Sequence, residues 1–361
     1  MIEMTSKERL KAALNGKPVD RLPFAPNIAY VWDFYPESIR RKGQEEFLKE
    51  VGADQLLRGT QLAAYYIQNG VEVKTTNDGN KTFVDFITPV GSIREGFVQT
   101  DATRFLSEHP LKTEEDYKIL LWIEENTTCH YSVKEANEHL QNSNSVLSIG
   151  QLIPRCKSAF QSLIEHFAGT EELTYALVDF PDTVEELLAK MIENDIKLVK
   201  MAAESNYEYF LTWEDSSTQN YSPAMYDKYI ASEIKQWCDV LHGAGKKYVQ
   251  HACGHVKDIL PMMKASGADV IESFVSPPTG NISIRDARTI AGKEMGIIGG
   301  IEPISFLTLD NKALADFTEL AIEDLKGGPF ILANGDSCPP GVTPEKFKLV
   351  ADIERNYKVG N

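Results

Sequence analysis

From about residue 145 onward the chain alternates short β-like runs with longer amphipathic stretches, and this limits its possible folds more than any other feature. The runs fall at Val146–Ile149, Tyr209–Thr212, Lys247–Gln250, Asp269–Glu272, Met295–Ile298 and Phe330–Ala333. Helical patterns separate them, among them Pro181–Ala203, Pro223–His242, Val256–Ala265 and Leu314–Leu325. Strands joined through helices pair in parallel, and helices then cover the sheet. With the early extended runs Pro23–Ala29 and Asp54–Leu57, about eight such units are available. No Gly-x-Gly-x-x-Gly follows any strand, so the expected fold is an α/β (β/α)8 TIM-type barrel, not an open dinucleotide-binding sheet.

Two features precede the repeat. Thr5 or Ser6 can cap a helix that places Leu10, Ala13 and Leu14 on one face and stops at Gly16. Residues 40–50 are helical by pattern, and about 71–97 reads as a β-hairpin turning at Asp78-Gly79-Asn80. The chain, 1–361, is therefore expected to be a single barrel domain with an N-terminal helical extension and a hairpin insertion.

Charge narrows the function classes. Lys and Arg total 37 against 53 Asp and Glu, a net charge of −16 that repels phosphate backbones and argues against nucleic-acid binding. The polar opening Met1–Ala13 lacks the apolar core of an export signal, and no apolar run approaches the ~20 residues of a membrane span. A cytoplasmic location with reduced thiols is expected. The five cysteines (129, 156, 238, 253 and 338) are scattered, which is no disulfide framework. Cys156 and Cys238 lie on helical patterns and read as packing residues.

In a barrel, chemistry belongs at the C-terminal ends of the strands. Those ends carry Trp213-Glu214-Asp215, His251-Ala-Cys253-Gly-His255, Glu302 and Asn334-Gly-Asp336-Ser-Cys338. His251 and Cys253 are two apart, so on a strand they face the same side and can reach one ion. Cys338 follows another strand that ends on the same rim. One imidazole and two thiolates suit Zn²⁺ and leave a fourth position open. Read singly, each cysteine is a small buried hydrophobe and the histidine a hydrogen-bonded core residue. Glu214 and Asp215 read as a fourth ligand, a general base, or rim carboxylates that cap a helix. Glu302 reads as a partner for His251 or, preferably, as a helix start, and His255, a competing ligand by type, as a residue supporting the ligands or as the start of the following helix.

These segments resemble the uroporphyrinogen decarboxylase superfamily over nearly the whole chain. The resemblance rests on Thr5-Ser-Lys-Glu-Arg-Leu through Arg21-Leu-Pro, on Leu211-Thr-Trp-Glu-Asp-Ser with Tyr221-Ser-Pro, on His251-Ala-Cys-Gly, on Gly299-Gly-Ile-Glu-Pro, and on Asn334-Gly-Asp with Thr343-Pro-Glu. It implies a TIM-type barrel. The decarboxylases proper hold a polycarboxylate porphyrinogen with an arginine-rich N-terminal motif. The corresponding stretch Leu22–Tyr35 contains no arginine here. The zinc methyltransferases that work with corrinoid proteins, including the coenzyme M methyltransferases, carry a His-x-Cys and a distant Cys. The resemblance maps these ligands onto His251, Cys253 and Cys338. It implies a Zn²⁺ cofactor, a corrinoid supplied by a partner protein, and a small thiol acceptor or methylated donor. A metal-free carboxy-lyase is the alternative enzyme, and a non-catalytic corrinoid- or tetrapyrrole-binding barrel the alternative outside enzymes. Pro339-Pro340 directly after Cys338 can stiffen or shift that loop.

Overall fold

In the computed structural model, which describes residues 3–60, 63–101 and 103–357, thirteen strands are present among the described residues. In chain order these are β1 (Leu56–Thr60), β2 (Ala64–Gln68), β3 (Glu72–Asp78), β4 (Lys81–Thr88), β5 (Gly91–Gln99), β6 (Arg104–Glu108) and β7 (Thr127–Tyr131). They continue as β8 (Leu147–Gln151), β9 (Tyr209–Thr212), β10 (Lys247–His251), β11 (Val270–Phe274), β12 (Gly296–Ile301) and β13 (Phe330–Asn334). A curled parallel sheet runs β1-β8-β9-β10-β11-β12-β13, with helices in the crossovers as the alternation predicts.

The eighth barrel position holds no regular strand. The run at Pro23–Ala29 supplies only a bridge, Phe24 against Leu332. Ala25 N donates to Leu332 O at 2.9 Å and Leu332 N to Pro23 O at 3.0 Å, while Asp54 N donates to Phe24 O at 2.6 Å just before β1. This short segment thus joins β13 to the start of β1. Three prolines, Pro18, Pro23 and Pro26, remove ladder donors nearby and keep the strand short.

Asp54 secures that closure. Its buried carboxylate accepts from the Arg9 and Arg21 guanidiniums and from Phe24 N. Arg9 also pairs with Asp20 at 2.7 Å, and Arg21 with Glu354 of the C-terminal helix at 2.8 Å. Hydrogen bonds to Arg9 and Arg9's charge hold Asp20 well below the usual carboxylate range, against the opposing effect of burial.

The first helix, Ser6–Leu14, starts at a reciprocal cap: Thr5 Oγ1 accepts from Glu8 N, and Glu8 accepts from Thr5 N at 2.9 Å. Its buried Leu10, Ala13 and Leu14 pack with Leu147, Ile149, Tyr209 and Val249 of the barrel interior, closing the N-terminal end. A second, larger apolar layer lies between the sheet and the helices outside it.

Three elements differ from the sequence reading. The hairpin at 71–97 is part of a four-stranded antiparallel meander, β3-β4-β5-β6, because the chain folds back once more at Arg104–Glu108. The helix expected from Val256 begins at Leu260, with Pro261 in its first turn, so His255 stands in the connecting loop and starts no helix. Cys156 is in a loop with φ +65°, not on a helix, while Cys238 is on a helix and buried. No described helix is long and apolar enough to cross a membrane.

Removing the Asp54 carboxylate leaves Arg21 and Arg9 short of a buried counter-charge. Asp54→Ala is expected to lower folding stability by about 3–5 kcal/mol, read as a fall in the thermal unfolding midpoint. An unchanged midpoint would mean that the barrel closes without this cluster.

Candidate metal centre at the barrel mouth

Asp215, His251 and Cys253 each present one ligand atom, and the three atoms lie within 4.8 Å of one another. They come from the exits of β9 and β10. His251 is the last residue of β10 and is buried. Cys253 lies two residues beyond, where the chain leaves the sheet. Loop-to-loop bonds set its position: His255 N donates to Ser217 Oγ at 3.1 Å, and Thr218 N to His255 O at 3.0 Å. Gly254 permits that approach, since a Cβ there would stand 2.5 Å from Ser217 Cβ.

Asp215 has φ +44°, a left-handed conformation that disfavours a side chain. Such strain is held by its surroundings. Asp215 Oδ1 lies 3.2 Å from His251 Nε2 and accepts from the Cys253 thiol at 3.6 Å, while Oδ2 accepts from Lys157 Nζ. Lys157 also donates to Trp213 O and pairs with Glu165 at 2.8 Å. Burial would raise the Asp215 pKa, but the His251 hydrogen bond and the charges of His251 and Lys157 hold it well below the usual carboxylate range.

The other ring nitrogen of His251 is committed. Nδ1 lies 2.6 Å from Glu272 Oε2, and Glu272 Oε1 accepts from Arg58 Nε at 2.7 Å. His251 and Glu272 are register partners on adjacent parallel strands. Burial opposes the charged imidazole, yet bonds to Asp215, Cys253 and Glu272 outweigh it and hold His251 well above the ordinary histidine range. Burial is also the largest influence on Glu272, but His251 and Arg58 keep it lowered. Trp213 covers the imidazole at 5.0 Å between ring centroids, and Gly59 makes room because a Cβ there would meet the indole at 2.8 Å.

The remaining sequence candidates lie elsewhere. The buried Glu214 carboxylate accepts from Ser158 N at 2.6 Å, Ser158 Oγ at 2.9 Å and Thr212 Oγ1 at 3.1 Å, at the start of the helix Ala159–Ser162. Burial pushes it up to about 7 despite those bonds. Cys338 is not in the Asp215–His251–Cys253 group. Asn334 and Ser337 tie its loop to residues 27–30: Asn27 N donates to Asn334 Oδ1 at 2.9 Å, and Tyr30 N to Ser337 Oγ at 2.7 Å. The Cys338 side chain sinks into the outer apolar layer, where burial pushes its thiol well up. Glu302 accepts from Thr279 Oγ1 at 2.7 Å, so the His251 partner is Glu272 instead. Cys129 bonds Asn194 O at 3.3 Å, away from this centre.

Sequence reasoning passed over Lys157, Glu272 and Arg58 as site residues. For Glu272 a signal existed: it ends the predicted strand next to His251's strand, at the same rim. Asp336 stands beside these groups: partial burial of its carboxyl group raises its pKa, the charges of Glu272 and Asp215 add to the rise, and Ser337 N–H and His251 oppose it.

The donor set fits a borderline-soft ion. It offers one oxygen, one nitrogen and one sulfur, with the histidine tautomer set by its carboxylate partner as in metal-bound imidazoles. Burial pushes the Cys253 thiol up against the pull of His251, so the protein alone favours the protonated thiol and a cation would favour the thiolate.

Residues 151–357 match the family profile described as uroporphyrinogen decarboxylase (URO-D). No curated protein sequence matches. Among solved structures, a methyltransferase from Methanosarcina mazei is similar at 16% identity with a TM-score of 0.61, covering 98% of each chain, a likeness of fold. A B12-independent methionine synthase from Shewanella sp. W3-18-1, in complex with selenomethionine, aligns at 11% identity and a TM-score of 0.48 over 92% of this chain and 97% of its own.

Glu272→Gln keeps the shape of the His251 partner and removes its charge. It is expected to lower zinc affinity by about 10–100-fold, read by competition with a chromogenic chelator. An affinity equal to that of the parent would remove Glu272 from the metal centre.

Proposed function

The chain belongs to the uroporphyrinogen decarboxylase family, and from that premise we propose that it is a zinc-dependent methyltransferase. It moves a methyl group between a corrinoid carried by a partner protein and a small thiol or methylated substrate. The observation that carries this reading is the convergence of Asp215, His251 and Cys253 at the barrel mouth, with His251 Nδ1 already engaged and Nε2 facing the other two donors. Bound there, zinc supplies a redox-silent Lewis acid that lowers the pKa of a substrate thiol and leaves it nucleophilic.

The chain's own groups position that chemistry. Glu272 and Arg58 orient the imidazole, Lys157 orients Asp215, and Trp213 shields one side of the ring from water. Asp215 is 40% exposed by its side chain, so substrate has access from that side. Asp336, whose carboxyl pKa is raised, is the carboxylate there that can take up a thiol proton, while Asp215 stays ionised as a ligand. Arg58 and Lys157, the cations beside the triad, are both held by the chain's own carboxylates, which argues against a polycarboxylate porphyrinogen as substrate. A corrinoid would arrive on another protein through an interface complementary to the mouth, since the chain's net charge of −16 disfavours an acidic partner elsewhere.

The test is metal analysis joined to methyl transfer. Near-stoichiometric zinc is expected in the parent protein and its loss in His251→Ala and Cys253→Ser. Thiol-dependent demethylation of methylcobalamin, followed by its visible spectrum, should fall with the metal. Absence of zinc after reconstitution under reducing conditions would overturn the metal centre. Zinc-loaded protein that transfers no methyl, to any small thiol or from any methylated donor, would overturn the methyltransferase. The third protein ligand is read by comparing Asp215→Asn with Cys338→Ser. Zinc retained in Cys338→Ser supports the triad, and zinc lost there supports the His-Cys-Cys set that the resemblance implies.

A further inference from the structure

A cavity of about 560 Å³ lies between the meander and the barrel, beside the metal centre and separate from it. The inner face of the meander contributes Phe86, Ile93 and Glu95, the helix Glu114–Glu125 contributes Leu120, and the loop after β8 contributes Arg155 and Lys157. Its size is that of a small-molecule site, about 300–1,000 Å³, and its wall is mainly apolar.

Glu95 is the unusual member of that wall. Residues Ile93 and Glu95 share one face of β5 by the two-residue period, while Arg94 points to the other face and pairs with Asp85. Among the described residues the Glu95 carboxylate has no hydrogen-bond or ion-pair partner. The cation whose charge acts on it, Arg104, sits over the Phe97 ring at 3.8 Å. Burial accordingly raises the Glu95 pKa, with Arg104 opposing.

The two cations of the cavity floor are already neutralised. Arg155 pairs with Glu124 at 3.1 Å and Asp195 at 3.2 Å, and Lys157 pairs with Glu165 and Asp215. Both cations of the lining are thus held by the chain's own carboxylates, and Glu95 is the lining carboxylate without such a partner. His166, also in the lining, is lowered by burial first and by Lys157 next, so its ring adds no positive charge near neutral pH. The local field favours a positive occupant.

We propose that this cavity binds a small organic cation, an amine or alkylammonium, with its charged head at Glu95 and its apolar body among Phe86, Leu120 and Phe167. A carboxylate supplies a charge-assisted bond to an ammonium, and aromatic rings accept cationic or alkyl groups on their faces. Lys157 lines this cavity and holds Asp215, so an occupant lies next to the candidate metal centre, on the β8 side. The site itself does not depend on the metal reading.

Binding of 2-phenylethylamine, 2-phenylethanol and phenylacetate to the full chain, measured by titration calorimetry at pH 7, tests this. The amine is expected to bind about tenfold or more tighter than the alcohol or the acid. Glu95→Gln should erase the margin over the alcohol, and Glu95→Lys should turn the preference toward phenylacetate, with thermal unfolding checking that both variants fold. Equal binding of amine and alcohol, a margin unchanged in Glu95→Gln, or no binding of any of the three would overturn the proposal. Phenylacetate binding tightest in the parent would make the floor an anion subsite and overturn it equally. The margin should survive chelator treatment; its loss there would mean that the amine ligates a metal instead.

Discussion

A parallel barrel must join its first strand to its last, and here the joint is three residues of irregular backbone between β13 and the start of β1. Asp54 bears the burden of that closure. Its carboxylate gathers Arg9 from the first helix, Arg21 from the approach to the joint and the amide of Phe24 in it. The mouth depends on this distant cluster, because closure sets β1 beside the rest and so brings Arg58 to Glu272 on β11. The same segment continues to Asn27 and Tyr30, which hold the loop carrying Asp336 and Cys338.

Across the mouth runs a line of alternating charges: Arg58, Glu272, His251, Asp215, Lys157 and Glu165. Buried charges are expensive unless each is compensated, and every member of this line has an opposite neighbour on at least one side. The arrangement orients the imidazole and the Asp215 carboxylate before any ligand arrives, which is how a site avoids reorganisation during reaction. It also accounts for the left-handed Asp215, since Lys157 on one oxygen and His251 on the other fix the carboxylate in a backbone state it would otherwise leave. Lys157 links this line to the neighbouring cavity, where a π-helical turn at Leu163–Phe167 presents Glu165 to it and His166 to the cavity wall.

The strands of the sheet were legible because buried parallel strands are short apolar runs between amphipathic helices, and β9 to β13 lie within a few residues of where pattern puts them. The first helix was legible from its cap and its Leu10–Ala13–Leu14 face. Pattern failed where pairing is irregular. Pro23–Ala29 looks like a strand by composition and forms only a bridge, and Arg104–Glu108 has no strong alternation but pairs with β5. The helix at Leu260 begins late because residues 257–259 form a turn before Pro261, which local hydrophobicity does not report.

At the site, residue types and strand ends alone brought out His251, Cys253 and Asp215, since spacing of two and a rim position are properties of local sequence. Their partners were not readable in that way. Glu272 differs from Glu302 as a partner only through which strand lies beside β10, and Lys157 reaches Asp215 across a loop of irregular backbone. Cys338 belongs to the same rim by sequence, but in the structure its side chain lies in the apolar layer and its loop is tied to residues 27–30. The sequence by itself thus determined the barrel's periodic frame and the rim on which chemistry is possible, because both follow from short-range patterns of apolar and donor residues. Only the tertiary structure decided which donors converge, which charges compensate them and which carboxylate is left alone, because those depend on distances between segments far apart in the chain.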